Sequence, residues 1–324
     1  MKGRGMPWLA ALLWMGCNEL QPEPPAPRQE LEQQEETMSS DASEVMDSQA
    51  TVEKSAPSEA TGSTVSLATI RSWRGPGQGP YEPPTSTEQA EVRTWLERRL
   101  AGSRSLASTS WITERGLDSG DLVVFIAAPG HGVYVWRTRY ATPLVIETPH
   151  SYADVYTLNI GLAAQQELGA RALLVNGTHR RFGCTEADAI CPADVAHAPT
   201  SVFEGVHEAF VARNPGDVVI QFHGFDAGPK DPLLILSAAR TRTDVRPYAE
   251  ALRRVLAPLG AWPVAVYPAE INRLGGTTGV QARQLRAAGG KMLHVEMSRE
   301  LRDRLVADPA IMRAFVRAFA PPVR

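Results

Sequence analysis

The strongest constraint on the fold is an alternation of short apolar runs with amphipathic segments in the second two thirds of the chain. Short apolar runs bounded by turn residues predict buried strands, and the amphipathic segments predict helices. We therefore predict an α/β fold with a mostly parallel or mixed central sheet and helices on both faces. The predicted strands are Asp121–Ala127, Val133–Trp136, Leu144–Thr148, Ala172–Asn176, Asp217–Phe222, Leu233–Ser237, Pro263–Tyr267 and Met292–Met297. The predicted helices are Thr87–Ala101, Tyr156–Leu168, a segment from Thr200 or Ser201 to Arg213, Asp244–Leu256, and one or two within Arg299–Phe319.

Composition divides the chain into three parts. Residues 1–17 combine Lys2 and Arg4 with a short apolar run that ends at Cys17, which is typical of an export signal and resembles that of bacterial lipoproteins. An ordinary signal peptide is the alternative. Residues 18–84 are rich in Glu, Gln, Ser, Thr and Pro and predict a disordered polar linker. Residues 85–324 are long enough for a single α/β hydrolytic domain.

The amino-terminal signal also predicts where the protein resides and which bonds it contains. A lipid on Cys17 would anchor an exported cell-envelope lipoprotein to a membrane, at the periplasmic face or the outer membrane. An exported chain would oxidise Cys184 and Cys191 to a disulfide, and metal ligation by this pair is the alternative. A formal net charge of -3 without a basic stripe argues against nucleic acid as a partner.

Polar residues gather at the ends of the predicted strands, whereas motifs for nucleophilic or nucleotide chemistry are missing. The sequence contains no G-x-S-x-G elbow and no phosphate loop between a first strand and its helix. A catalytic zinc ion requires three protein ligands and one open position. His150 and Asp154 from one loop and His223 from another strand end supply such a set. Glu296, late in the last strand, is the candidate general base.

A family resemblance agrees with this ligand set. The motifs PHSYAD, THR, FHG, an NR-containing glycine loop and HVEMSRELR follow one another within roughly Leu122–Leu305. Their order resembles the zinc amidohydrolases of the poly-γ-glutamate hydrolase and N-formylglutamate amidohydrolase type, which are similar in fold to zinc carboxypeptidases. The resemblance implies His150 and His223 as zinc ligands and Glu296 as general base or acid.

The acidic ligand departs from the family pattern. The poly-γ-glutamate enzymes have a glutamate five positions after the first histidine, where this chain has Val155. Asp154 would replace it, with Glu147 as the second choice. An edge-strand carboxylate paired with Arg299 or Arg302 is the alternative for Glu296.

The resemblance also implies a carboxylate-bearing substrate, because such enzymes cleave amide bonds next to carboxylates. We expect Arg180 or Arg181 and Arg273, beside Asn272, to bind that carboxylate, although surface ion pairing explains any one arginine equally well. His197 orients the substrate or caps a loop. His131 and His207 are predicted to be structural, with His207 facing solvent.

The predicted function is therefore that of an exported zinc-dependent amidohydrolase that acts on a small peptide, glutamyl or cell-wall-derived substrate. Two alternatives remain open at this level. One is a non-catalytic cell-envelope lipoprotein that binds a ligand through a degenerate site. The other is a metal-independent hydrolase that uses His294 and Glu296 as an acid and base pair.

Overall fold

A computed structural model of the chain describes residues 64–103, 109–116, 121–140, 142–240, 245–260 and 262–320. All of them belong to one compact unit, Ser55–Arg324. The predicted signal at residues 1–17 and the greater part of the predicted linker lie outside the described residues. Within them, no helix has the length and apolar character needed to cross a membrane.

The described elements form one nine-stranded sheet flanked by helices. The strands are β1 (Ile112–Gly116), β2 (Leu122–Ala127), β3 (Val133–Arg137), β4 (Thr142–Thr148), β5 (Ala170–Val175), β6 (Val218–Phe225), β7 (Leu234–Ser237), β8 (Val264–Val266) and β9 (Lys291–Ser298). The helices are α1 (Leu67–Arg74), α2 (Ser86–Leu100), α3 (Thr157–Glu167), α4 (Val202–Arg213), α5 (Arg246–Leu256), α6 (Val280–Ala287), α7 (Arg299–Ala307) and α8 (Pro309–Arg317). A 3-10 turn, Ala257–Leu259, follows α5.

The sheet is mixed, which confirms the predicted fold class. Its strand order is β1-β2-β3-β5-β4-β6-β9-β7-β8, and the central strands β5, β4, β6 and β9 run parallel. One antiparallel part is a meander of β1, β2 and β3 that joins β5, and β1 is not among the predicted strands. Gly130 and Gly132, both at positive φ, allow the tight reversal between β2 and β3.

Side-chain alternation along the central strands separates two apolar cores, one on each face of the sheet. On β4, Leu144 and Ile146 pack into the core beneath α1, α3, α5, α7 and α8, whereas Val145 packs into the core beneath α2, α4 and α6. The same period of two recurs on β6 and β9. Polar side chains at Glu147, His223 and Glu296 therefore all emerge on the α2, α4 and α6 face.

The predicted boundary of the linker at Pro84 is too late. Residues from Val65 onwards belong to the folded unit, where Ser66 caps α1 and Ile70 is fully buried. After α1 the chain crosses the domain as a segment that we call the strap, residues 75–85. Gly77 of the strap forms a β-bridge with Thr178. A few apolar residues that contact the domain are enough to order a segment whose average composition predicts disorder.

His131 fixes the strap to the β2–β3 turn. The Tyr81 ring stacks on the His131 ring at a centroid separation of 4.5 Å, and Trp111 contacts the same imidazole edge-on at 5.0 Å. His131 is 3% exposed, and burial lowers its pKa to about 4. The imidazole is consequently neutral at pH 7 and resists protonation as the pH falls.

We predict that His131 makes the domain less stable in acid. Because the native pKa lies below the unfolded value near 6.5, only the unfolded chain gains a proton between pH 7 and pH 5, and the free energy of unfolding falls by about 2 kcal/mol. The measurement is urea denaturation of the wild type and the His131→Asn variant at both pH values. The variant should lose this part of the pH dependence. Equal differences between the two pH values in both proteins would contradict the assignment.

Candidate metal centre

The candidate site lies where β4, β6 and β9 end, on the α2, α4 and α6 face of the sheet. The parallel register aligns His223 of β6 with Glu296 of β9. His150 follows β4 in a turn and reaches the same edge. The carboxyl ends of parallel strands meet at one edge of a sheet, so residues far apart in sequence converge there.

Three electron-rich atoms converge at this edge. His150 Nδ1 lies 3.1 Å from His223 Nδ1. Asp154 Oδ2 lies 3.4 Å from His150 Nδ1 and 3.5 Å from His223 Nδ1. All three residues are buried, with exposures of 1%, 5% and 5% for His150, Asp154 and His223. Ligand atoms in a tetrahedral zinc site are separated by about 3.3 Å, so these distances suit a bound divalent cation.

The turn after β4 explains how Asp154 joins His150. The backbone N–H of Asp154 donates to the His150 carbonyl at 2.8 Å, so the two side chains are one helical turn apart. The hydroxyl of Thr157 donates to the Asp154 carbonyl at 2.7 Å, and the backbone N–H of Gly224 donates to Asp154 Oδ2 at 3.0 Å. The carbonyl of the next residue, Val155, accepts from Arg302 at 2.6 Å. The structure therefore brings Asp154, rather than its neighbour, into the cluster.

Hydrogen bonds on the outer side of each imidazole determine which ring nitrogen carries the proton. His150 Nε2 lies 2.8 Å from Asp194 Oδ1, and His223 Nε2 lies 2.9 Å from Gln221 Oε1. Both outer partners are oxygen acceptors, so each Nε2 donates, and the Nδ1 of a neutral ring keeps its lone pair. Two imidazole lone pairs and a carboxylate thus face one another, an arrangement that a cation stabilises.

Burial and neighbouring charges shift the pKa values of the three residues in different directions. Burial raises the pKa of Asp154, but hydrogen bonds and charge interactions with His150 and His223 outweigh it and hold that pKa well below its usual range. Burial lowers the pKa of His223 to about 4, which keeps the imidazole neutral, as a metal ligand must be. For His150, burial and Arg180 lower the pKa, but Asp194 and Asp154 raise it above its usual value.

Asp194 connects the cluster to the loop after β5. Its Oδ2 accepts from Arg180 Nη2 at 2.6 Å, and both its oxygens lie 3.2 Å from His197 Nδ1. Arg180 Nη1 also lies 3.3 Å from His150 Nδ1, so the guanidinium faces the same space as the three convergent atoms. Asp194 is not among the predicted site residues. Its position three residues before His197 could have indicated that it orients a histidine of the site.

Glu296 is directed by His294 rather than by an arginine. Glu296 Oε1 lies 3.1 Å from His294 Nε2, and Oε2 has no hydrogen-bond partner among the described residues. Arg299 pairs with Asp303, and Arg302 donates to backbone carbonyls, so neither engages Glu296 as the surface alternative required. The imidazole rings of His223 and His294 lie 4.6 Å apart, so His294 stands between Glu296 and the cluster.

Other predicted substrate residues lie elsewhere. Arg273 pairs with Asp231 at 2.5 Å and packs over Phe225. Arg181 and Asn272 are exposed. Of the three predicted arginines, the structure brings Arg180 to the cluster.

Two predictions about buried residues are wrong. Glu147 is not a ligand: it is fully buried, its Oε1 lies 2.6 Å from His207 Nδ1, and its Oε2 accepts from Gln221 at 3.0 Å. His207 does not face solvent and is itself 0% exposed. Helix α4 is buried on nearly all sides, and a helical pattern alone does not reveal this. Gln221 was missed, although its spacing of two from His223 places both on one face of β6.

Cys184 and Cys191 form a disulfide that closes a short loop between Arg180 and Asp194. The strap covers the start of the same loop, because the backbone N–H of His179 donates to the Gly77 carbonyl at 2.9 Å. Gly79 lies directly against Phe182, where a Cβ would overlap the ring. The loop that carries Arg180 is therefore held by a covalent bond on one side and by the strap on the other.

Among known proteins, this chain is similar to solved structures but to no family model and no curated sequence. No protein-family model matches the chain, and no curated protein sequence matches it. The solved structures it resembles include N-formylglutamate amidohydrolase from Ralstonia eutropha JMP134, with 14% identity, a TM-score of 0.38, and coverage of 57% of this chain and 94% of that one. A putative metallopeptidase from Shewanella amazonensis SB2B has 13% identity, a TM-score of 0.36, and coverage of 72% and 93%. Murein-tripeptide amidase MpaA from Escherichia coli O157 has 10% identity, a TM-score of 0.34, and coverage of 70% and 98%.

Proposed function

We propose that the protein is a zinc-dependent amidohydrolase whose metal ligands are His150, Asp154 and His223. The observation that carries the proposal is the convergence of two imidazole lone pairs and a carboxylate within 3.5 Å of one another. Asp194 and Gln221 fix the two tautomers from outside, as acceptors commonly do around metal-bound histidines. A donor set of two histidines and one carboxylate is characteristic of catalytic zinc, which keeps a position open for water or substrate.

A bound zinc ion would act as a Lewis acid and lower the pKa of water at the open position to about 7. Glu296 is the group that would take a proton from the attacking water. Its Oε2 has no hydrogen-bond partner among the described residues, and Glu296 on β9 lies directly beside His223 on β6. The same carboxylate would return that proton to the departing amine. His294 would hold Oε1 and thereby aim Oε2.

Arg180 is the residue best placed to bind the substrate. Asp194 holds its guanidinium from one side, while Nη1 faces His150. A guanidinium in this position would donate to the scissile carbonyl or to a carboxylate next to it. His197, half-buried against Asp194, would line the same side. We therefore propose a small peptide, glutamyl or cell-wall-derived amide as the substrate class. Arg181 and Arg273 would bind a longer substrate that reaches beyond the cluster.

Export to the cell envelope is part of the same proposal. It rests on the sequence at residues 1–17, where Cys17 would carry a lipid anchor. The Cys184–Cys191 disulfide supports it, since such bonds persist in oxidising compartments. An anchored hydrolase would act on amides at the membrane surface.

The ligand assignment predicts the zinc content. The wild type, purified without chelator, should contain about one zinc ion per chain by atomic emission, and the His223→Ala variant should contain far less because one of three ligands is lost. His131→Asn removes a buried histidine away from the cluster and should retain the metal. Full zinc occupancy in His223→Ala would remove His223 from the site.

The role of Glu296 predicts a separation of binding from turnover. Glu296→Gln should keep the zinc content of the wild type and lower kcat about 100-fold or more toward whichever amide of a peptide and γ-glutamyl panel the wild type cleaves. Glu300→Gln, an exposed change on α7 where Glu300 pairs with Arg304, is the matched control and should leave kcat unchanged. A Glu296→Gln variant with wild-type kcat would rule out the carboxylate as the base.

The anchor predicts membrane association of the full chain expressed in a bacterium with its own amino terminus. The wild type should partition with the membrane fraction and into the detergent phase of a Triton X-114 extraction. Cys17→Ser should move to the soluble exported fraction, because it cannot be acylated at that position. Membrane association that survives Cys17→Ser would contradict the proposal.

A further inference from the structure

A buried polar network lies beneath the cluster, on the side of His223 that faces away from Asp154. Its members come from β4, β6, α4 and α6, and of these only Gln221, which contacts His223, has been given a role in the proposed site. Five of them are nearly or fully buried, with exposures of 0–4%. They are Glu147, Glu204, His207, Gln221 and Gln281. Polar groups buried to this degree are costly unless each hydrogen bond is satisfied, so the directions of these bonds are strongly constrained.

The network begins with an ion pair. Burial lowers the pKa of His207, but the carboxylate of Glu147 outweighs it and raises that pKa to about 9. The resulting imidazolium donates from Nδ1 to Glu147 Oε1 at 2.6 Å and from Nε2 to Gln284 Oε1 at 3.2 Å. Glu147 therefore presents a negatively charged Oε2 toward β6.

That oxygen fixes the amide of Gln221. Gln221 Nε2 donates to Glu147 Oε2 at 3.0 Å and lies 3.4 Å from Gln281 Oε1. Gln281 is fixed in turn, because its own Nε2 donates to Glu204 Oε2 at 2.7 Å and to the Val195 carbonyl at 2.9 Å. Both neighbours of the Gln221 amino group are thus acceptors. Its Oε1 must face the other way, toward His223 Nε2.

We propose that Glu147 and Gln221 are positioning residues that determine the tautomer of His223 and, through it, the affinity for the metal. This inference rests on the proposed zinc function. With Gln221 Oε1 toward His223, the proton resides on Nε2 and the Nδ1 lone pair faces His150 and Asp154. A reversed Gln221 amide would present N–H to Nε2 and move the proton to Nδ1. A protonated Nδ1 cannot accept a cation.

Two variants test this relay without touching a proposed ligand. Glu147→Gln keeps the size of the side chain but removes the charge that orients the Gln221 amide. Gln221→Leu removes the acceptor for His223 Nε2 and keeps a similar volume. It remains informative if Glu147→Gln fails to fold because the charge of buried His207 has lost its carboxylate partner. Gln165→Leu is the matched control, because Gln165 is also buried at 2% exposure but lies on α3 at the opposite face of the sheet.

The first measurement is the tautomer in the metal-free full-length protein. Selective ¹⁵N-histidine labelling and long-range ¹H–¹⁵N spectra distinguish protonated from unprotonated ring nitrogens, and the His223→Ala spectrum assigns the signals of His223. We expect Nε2 to carry the proton in the wild type and in Gln165→Leu. In Glu147→Gln and Gln221→Leu, Nδ1 should gain a substantial share of it.

The second measurement is the zinc dissociation constant from chelator competition. Loss of the outer hydrogen bond should weaken zinc binding about 10- to 100-fold in both relay variants and leave Gln165→Leu like the wild type. Relay variants with the wild-type tautomer and affinity would overturn the inference, as would a wild type protonated on Nδ1. A wild type that binds no zinc would defeat the proposed function, whereas the tautomer spectra would still decide the relay.

Discussion

The arrangement of the site depends on the parallel alignment of β4, β6 and β9. Alternate side chains of each strand emerge on the same face, so Glu147, Gln221, His223, His294 and Glu296 all point toward α4, α6 and the loop after β5. Apolar residues at the intervening positions fill the opposite core. A shift of any strand by one residue would turn these polar side chains into that core and place its aliphatic side chains among the polar groups of the site. The apolar core therefore also sets the register of the polar groups.

Many polar groups on this face of the sheet are buried away from water, and their hydrogen bonds are arranged in two layers. The inner layer lies farther from the strand ends, and its hydrogen bonds are made within the protein. The Glu147–His207 ion pair, Glu204 and three glutamines donate to and accept from one another there. The outer layer is left open. Nδ1 of His150, Nδ1 of His223 and Oδ2 of Asp154 lie within 3.5 Å of one another, and Glu296 Oε2 has no hydrogen-bond partner among the described residues. A closed inner layer holds an open outer layer in place, which is the arrangement that preorganised sites require.

Much of this could be predicted from the sequence, because strand ends and side-chain period are local properties. The α/β class and the central strands follow from apolar runs, and parallel strands bring His150 and His223 to one edge. Strand β1 was missed because its sequence, ITERG, is polar and gives no apolar signal. Helix α1 and the strap were missed because the average composition hides the few residues, such as Ile70 of α1 and Tyr81 of the strap, that attach them to the domain. The role of Glu147 was missed because its partner His207 lies on α4. The sequence of one element alone does not show which other element packs against it.

The same geometry explains why Asp154, and not Val155, lies in the cluster. A residue five positions after His150 would point about one hundred degrees further around a helical turn than a residue four positions after it, and Val155 occupies that direction. Its carbonyl is engaged by Arg302. Asp154 points toward His150 and receives the backbone N–H of Gly224 from the end of β6. The shorter side chain is sufficient because the turn and the strand end approach each other closely. The path of the turn therefore decides which residue of this segment places its carboxylate beside the two histidines.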